Sequence, residues 1–471
     1  MIAFEDHFQM TSGESRKILR MALSRGGDIS EIYSEYRITS FIIMEEDIIK
    51  ETGESVSSGL GIRVISGEKT GYSYTNDFSA DRLRRAALAA AAIVQAGKSA
   101  RLSRFKPAAG PENLYPLVRP AHQASLQDKI ELVRRAYSSC QKADPKIKKV
   151  KVLLQDNVQH ISVVNSEGWS GYDARPQVKL ICTAVAEKSG RREYGFSGGG
   201  GRVGLEYFEK TLSPERIGHE AAAEALLLLE AVEAPAGEMP VVLAPGHAGV
   251  LVHEAVGHLL EADFNRKKTS IFWDKLGQRV GSSLLTIYDD PTIPSFRGSY
   301  CIDDEGTPPR KTLLIDRGVV CSFLQDRLSS RLMGLPLTGH GRRQDYTCIP
   351  IPRMSNTYVD RGQDDPQDII KSVVKGIYAE KFEGGQVEDS GKFTFSISAG
   401  YLIEEGRLTA PIRQATLIGT NIDILQKIER VGADLSFSLQ TGTCSKDGQE
   451  VPVTDGCPTI KISRMTVGGR S

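Results

Sequence analysis

Leu251-Val252-His253-Glu254-Ala255-Val256-Gly257-His258-Leu259-Leu260-Glu261 places two imidazoles around a carboxylate inside an apolar, helix-forming run. Hydrolytic metal sites need that combination. Neutral imidazoles bind a divalent ion, an open position keeps a water, and an adjacent carboxylate takes the water's proton. The spacing is His-Glu-x-x-x-His, one residue longer than the HExxH arrangement, in which histidines four apart return to nearly one face. Five apart on a regular helix, they diverge by about 140°. A shared ion therefore predicts a π-bulge or helix break between His253 and His258, and Gly257 lowers the cost of that distortion. Two buried histidines satisfied by hydrogen bonds, with Glu254 on a solvated face, fit the bare pattern as well. A third ligand must come from elsewhere, and Glu261, Asp263, His247, His340 and several cysteines compete.

The chain around this segment has 471 residues, more than one hydrophobic core usually serves, so two or three domains are expected. Apolar residues make up 40% and charged residues 25%, the profile of an ordinary globular protein. With 59 basic and 59 acidic side chains, no global field attracts nucleic acid or an anionic membrane, and neither is expected as a partner. Met1 to Phe8 lacks a basic stretch followed by an apolar one, so no signal peptide is expected. The most apolar segments, Ala221 to Val232 and Met239 to Val252, fall well short of the roughly 18 consecutive apolar residues of a membrane span. Seven scattered cysteines, an odd number, suit free thiols in a reducing compartment, which places the chain in the cytoplasm.

The patterning predicts an α+β protein. A helix is expected at Ser12 to Arg25, strands at Glu31 to Arg37 and Phe41 to Lys50, and a hairpin of Gly61 to Ile65 with Lys69 to Tyr74 around Ser66-Gly67-Glu68. Ser79 caps a helix to about Ala96, and Lys106 to Pro120 reads as a connector. Ser125-Leu126-Gln127-Asp128 opens a helix to about Lys142. Period-two segments at Ile147 to Leu154, Gln159 to Asn165 and Gln177 to Glu187 predict a meander with turns at Asp156-Asn157, Ser166-Glu167-Gly168 and Ser189-Gly190. Ser213-Pro214-Glu215 starts a helix through Glu230, and Ala234-Pro235-Ala236-Gly237 ends it. The expected division is an N-terminal α/β domain with antiparallel sheets, residues 1–234, and a β-rich C-terminal domain, residues 238–471, carrying the metal-binding helix.

His253-Glu254-Ala255-Val256-Gly257-His258, followed by Leu260-Glu261-Ala262-Asp263, resembles the signature of the TldD/PmbA family, in its TldD-type active subunits. Asp303-Asp304-Glu305-Gly306-Thr307, Pro352-Arg353-Met354-Ser355-Asn356-Thr357-Tyr358, Gly385-Gln386-Val387 and Val467-Gly468-Gly469 resemble further family blocks in the family's order. The resemblance covers nearly the whole chain, more specifically in its second half. It implies a metallopeptidase whose third ligand is the cysteine of a Cys-Gly-Lys-x-Gly-Gln block, here Cys444-Ser445-Lys446-Asp447-Gly448-Gln449, with Ser445 where glycine is usual. The implied set is His253, His258 and Cys444 as ligands of a divalent metal, zinc or alternatively iron or another divalent ion, and Glu254 as general base. The implied substrates are unfolded or extended peptides bound along a sheet edge. The implied partner is a second similar subunit, as a homodimer or as a heterodimer with a PmbA/TldE-type paralogue. The competing readings are a metal-dependent amidohydrolase on a non-peptide substrate and a non-catalytic PmbA-like scaffold.

Other features read more plainly. Gly198 to Gly201 suits a flexible hairpin tip, since it lacks the Gly-Lys-Ser/Thr context of a phosphate loop. Glu261 and Asp263 are candidates to orient the ligands. His247 reads as structural, Arg353 and Asn356 as polar anchors or substrate contacts, and Cys457 as a small core residue.

Overall fold

The computed structural model describes residues 10–94, 100–108, 110–111, 114–388 and 390–469. Met1 to Phe8, the expected helix end at Ala96 and part of the Lys106 to Pro120 connector lie outside the described residues. Two long strands, β1 (Ile29–Glu45) and β2 (Ile48–Ser66), pair antiparallel along their length. They turn at Glu46 and Asp47, both with positive φ, the two-residue geometry whose twist matches a hairpin. The sheet continues as β3 (Lys69–Thr75), β4 (Ile147–Asn165), β5 (Trp169–Lys188) and β6 (Arg191–Gly201), in the order β3-β2-β1-β4-β5-β6. Helices α1 (Ser12–Ala22), α2 (Ala80–Ala91), α3 (Leu126–Gln141) and α4 (Pro214–Leu229) pack on it. Ser125 Oγ accepts from the Asp128 amide, and Ser213 Oγ from that of Arg216, so two of these starts follow from local capping chemistry.

Four expectations need correction, the first being the strand Phe41 to Lys50, which the Glu46-Asp47 turn divides between β1 and β2. The break in β1 and the turn at Asp156-Asn157 do not occur, because the polar residues that suggest them are satisfied inside the sheet. Asp156 is buried in mid-strand, accepts from Ser40 Oγ of β1 at 2.6 Å, and pairs with Lys129 Nζ of α3 at 2.7 Å. Nor is Gly198 to Gly201 a hairpin tip. It is the end of β6, paired with Val178 to Ile181 of β5. A Cβ on Gly201 would collide with the Ser295 carbonyl oxygen, so glycine lets the second half of the chain lie directly on this strand.

The second half is β-rich. Its main strands are β7 (Gly237–Leu243), β8 (Lys375–Val387), β9 (Lys392–Glu404), β10 (Ala415–Thr420), β11 (Thr443–Lys446), β12 (Gln449–Pro452), β13 (Thr454–Cys457) and β14 (Ile460–Gly468). The order β8-β7-β14-β10-β9 closes on itself because β9 also pairs with β8. Val241, Leu243, Phe393, Phe395 and Ile462 of this closed sheet share one core with Leu251, Val252, Ala255, Val256 and Leu259 of the His-bearing helix. A buried ionic layer joins the halves. Arg63 of β2 pairs with Glu31 at 3.0 Å and with Glu305, Arg343 with Glu31 at 2.7 Å, and Arg175 with Asp304 at 2.6 Å. The fold is α+β. Among the described residues no helix is long and apolar enough to cross a membrane.

Candidate metal centre

The helix after β7 changes its winding along its length. A 3-10 turn (His247–Gly249) leads into one α turn (Val250–Val252), a π turn (His253–Gly257) and a closing 3-10 turn (His258–Leu260). The π turn spans the five-residue step between the histidines. Its hydrogen bond reaches from residue i to i+5, which brings His258 round to His253. The two rings meet edge-on, with centroids 5.3 Å apart. The Asn421 side chain donates to the Ala255 carbonyl, giving that widened turn an acceptor's partner from outside the helix. Gly257 has ordinary helical backbone angles. Glycine is needed there because a Cβ would overlap Met354 Sδ, which packs against the turn.

Cys444 arrives on β11, whose Asp447-Gly448 turn has positive φ at both residues, as a two-residue hairpin demands. Ser445 lies in the paired strand opposite Glu450 and has no positive φ, so its place in a glycine position costs nothing. Arg353, fully buried, donates to the carbonyls of Cys444 at 2.5 Å and Gln449 at 3.2 Å, which ties the hairpin down. Cys444 Sγ lies 3.3 Å from His258 Nε2, and the donor atoms of His253, His258 and Cys444 all lie within 4.8 Å of one another.

A carboxylate lies against the other nitrogen of each ring. Asp455 Oδ1 faces His253 Nδ1 at 2.7 Å, and Glu261 Oε2 faces His258 Nδ1 at 3.0 Å. The His258–Glu261 contact is a hydrogen bond and leaves Nε2 as that ring's free donor, the arrangement that fixes tautomer and orientation in histidine metal sites, whereas the His253–Asp455 contact is a charge at close range without hydrogen-bond geometry. Burial alone would raise the Cys444 thiol, but His258 and His253 pull it well below the ordinary thiol range. Burial would likewise lower His253, yet Asp455 and Cys444 raise it well above the usual imidazole value. A buried thiolate thus faces two proton-bearing nitrogens, and a divalent cation replaces those protons with the same charge balance. The residues present fit such an ion.

Glu254, 28% exposed, points the same way, with Oε2 3.6 Å from His258 Nε2. Burial raises its carboxyl, although His253 and His258 oppose this. It lines a cavity of about 130 Å³ together with His253, His247, Val250, Ser438 and the segment from Gln440 to Thr443.

The remaining candidates divide clearly. Glu261 is fully buried and pairs with Lys446 at 2.9 Å; burial would raise its carboxyl, but Lys446 and His258 bring it down to about 2. Asp263 pairs with Lys446 at 2.7 Å and touches no ligand. His247 bonds Ser438 Oγ and the Phe382 carbonyl, and His340 is buried against Asp289. Asn356 anchors buried backbone at Asp290 and Gly298, and Cys457 donates to the Ala244 carbonyl at 3.3 Å. Sequence reasoning missed Asp455. The available signal was an aspartate inside a strand, a choice that strands disfavour.

Comparison with known proteins gives the family. The family model described as the PmbA/TldA metallopeptidase C-terminal domain matches residues 236–469, that of the central domain residues 119–229, and that of domain 1 residues 30–94. The chain is 43% identical over 452 residues to the metalloprotease TldD homolog of Buchnera aphidicola subsp. Acyrthosiphon pisum, covering 94% of this chain and 93% of that protein. With the metalloprotease TldD homolog of Haemophilus influenzae it shares 41% over 454 residues, 94% of each. A zinc metalloprotease TldD homolog of Saccharolobus solfataricus is 35% identical over 235 residues, 50% of this chain and 52% of that one. The fold matches a Thermotoga maritima structure (TM-score 0.79, 21% identity, 99% of this chain and 100% of that one). It also matches TldE of Thermococcus kodakarensis (TM-score 0.75, 19% identity, 97% and 100%). On the family models and these near-full-length relatives, the chain belongs to the PmbA/TldD metallopeptidase family and is a peptidase.

Proposed function

We propose that His253, His258 and Cys444 hold a divalent ion, zinc before iron, and that Glu254 is the general base of peptide-bond hydrolysis. The observation that carries this reading is the clustering of the three donors within 4.8 Å of one another, with Glu254 Oε2 3.6 Å from His258 Nε2 and lining one small cavity with His253. Two imidazoles and a thiolate suit zinc, and the Saccharolobus solfataricus relative is named for it. When bound, the ion supplies Lewis acidity toward water and the scissile carbonyl. Glu254 takes the attacking water's proton and passes one to the leaving amine, a role helped by a carboxyl raised toward neutrality through burial. Glu261 holds His258 Nδ1 by a hydrogen bond and the Asp455 charge lies 2.7 Å from His253 Nδ1, which leaves the Nε2 of each ring for the ion.

The substrate on this reading is an unfolded or extended peptide, since the narrow cavity beside Ser438 to Thr443 suits a single extended chain. We assign catalysis to residues 238–471, with residues 1–234 as a separate supporting domain. Family membership supports pairing with a second copy or a TldE-type chain, and seven free cysteines support a reducing, cytoplasmic setting. Glu254→Gln tests the mechanism. Cleavage of denatured casein should fall by at least about 10²-fold with metal content unchanged by elemental analysis. Undiminished cleavage by that variant would sink the assignment.

A further inference from the structure

A second cavity of about 350 Å³ adjoins the first and shares Ser438 and Gln440 with it as lining. Val203, Tyr207, Phe296 and Leu439 supply apolar wall, and Arg297 supplies a cation. Arg297 is 5% exposed. Its Nε donates to the Gly442 carbonyl at 3.3 Å, on the stretch leading to Cys444, while its buried Nη1 has no hydrogen-bond partner. Among the described residues no carboxylate lies within 4.0 Å of this guanidinium.

Its neighbours make the deficit larger. Arg202, also buried, donates to the carbonyls of Ser299 at 2.9 Å and Pro176 at 3.3 Å; among the described residues no carboxylate lies within 4.0 Å of it, and Asp173 acts on it only from beyond that distance. Lys179, half-buried on β5, adds a third nearby positive charge. Burial, then the charge of Arg202, lowers the Arg297 guanidinium to about 9, which leaves it protonated at neutral pH. Among the described residues the one acid lining the cavity, Glu206, is occupied by the amides of Val118 at 3.1 Å and Arg119 at 2.7 Å. A buried cation with no counter-charge is costly, and a planar guanidinium matches a carboxylate with two parallel hydrogen bonds.

We propose that this second cavity is a substrate subsite in which Arg297 receives a carboxylate of the bound peptide, from an acidic side chain or from the peptide's own C-terminus. The inference rests on the peptidase reading above, since the subsite shares the wall residues Ser438 and Gln440 with the hydrolytic cavity. It makes Arg297 a specificity residue, placed to choose which bond of an extended chain lies beside Glu254.

The test uses the zinc-loaded full-length chain and fluorescein-labelled unstructured decapeptides, identical except for one position. One series compares Glu with Gln at each position in turn, and the other compares a free C-terminus with its amide. Binding is read by anisotropy and cleavage by mass spectrometry. A charge-assisted contact predicts roughly a tenfold preference for the carboxylate form in one series, which identifies its source. Arg297→Gln should reduce that preference to about one, while Arg297→Lys keeps part of it. Leu439→Glu, which supplies a carboxylate from the cavity wall, should also abolish it and keeps the test open should Arg297→Gln fail to fold. No preference in either series with the intact chain, or a preference that survives both Arg297→Gln and Leu439→Glu, overturns the subsite. A binding preference without cleavage supports the subsite and sinks the hydrolytic reading instead.

Discussion

Asp455 Oδ1 and Glu261 Oε2 each engage the Nδ1 of one histidine, at 2.7 and 3.0 Å, but they differ in what holds them. Glu261 is itself clamped by Lys446 and by the Met354 amide, so replacing it would disturb several groups at once. Asp455 gives the cleaner experiment. Asp455→Asn keeps the shape and removes the charge, and should weaken metal binding about 10- to 100-fold, as read by competition with a chromophoric chelator. Unchanged affinity would mean that Asp455 does not orient His253. Only its being an aspartate inside a strand marks Asp455, whereas Glu261 is three residues from His258 and open to inspection in the sequence.

At the scale of the element, the π turn is the feature that the five-residue histidine spacing demands, and the structure contains it. The reason for its glycine differs from the expected one. Gly257 makes room for Met354, a buried side chain from the strip that also carries Arg353, the anchor of the Cys444 hairpin. Gly257→Ala should therefore destabilise the protein by about 1–3 kcal/mol through overpacking. Because the clash is with a single side chain, Met354→Ala should relieve part of that cost in the double variant. Urea denaturation of the single and double variants measures this coupling, and strictly additive losses would exclude it.

At the scale of the whole molecule, the two halves meet across buried ion pairs in which carboxylates outnumber the positions where they can ionise cheaply. Burial, then Glu305, pushes Asp326 up to about 7, and burial with Glu305 raises Asp303 to about 8. The native state thus holds protons that the unfolded chain releases. The stability from these groups is complete below the unfolded carboxyl value and is lost as pH rises through about 7 to 8. Asp326 also caps the helix Arg327–Met333 by accepting from the Ser329 amide at 2.8 Å, a role asparagine fills equally well. Asp326→Asn should accordingly flatten the fall in melting temperature between pH 5 and pH 8 relative to the natural chain. Parallel melting curves across that range would show that Asp326 does not carry the proton.

Capping at Ser125 and Ser213, the hairpin turns at Ser189-Gly190 and Ser66 to Glu68, and the histidine spacing were all legible in the amino-acid sequence. Each depends on neighbours within a few residues. Cys444 was reached through resemblance, because no local pattern connects it to a helix 186 residues away. The uninterrupted β4, the buried Gly198 to Gly201, the Asp455 contact and the unpaired Arg297 were decided by tertiary packing alone. In each case the deciding neighbour, Lys129, Ser295, His253 or Gly442, lies on another element, and burial makes its contact matter.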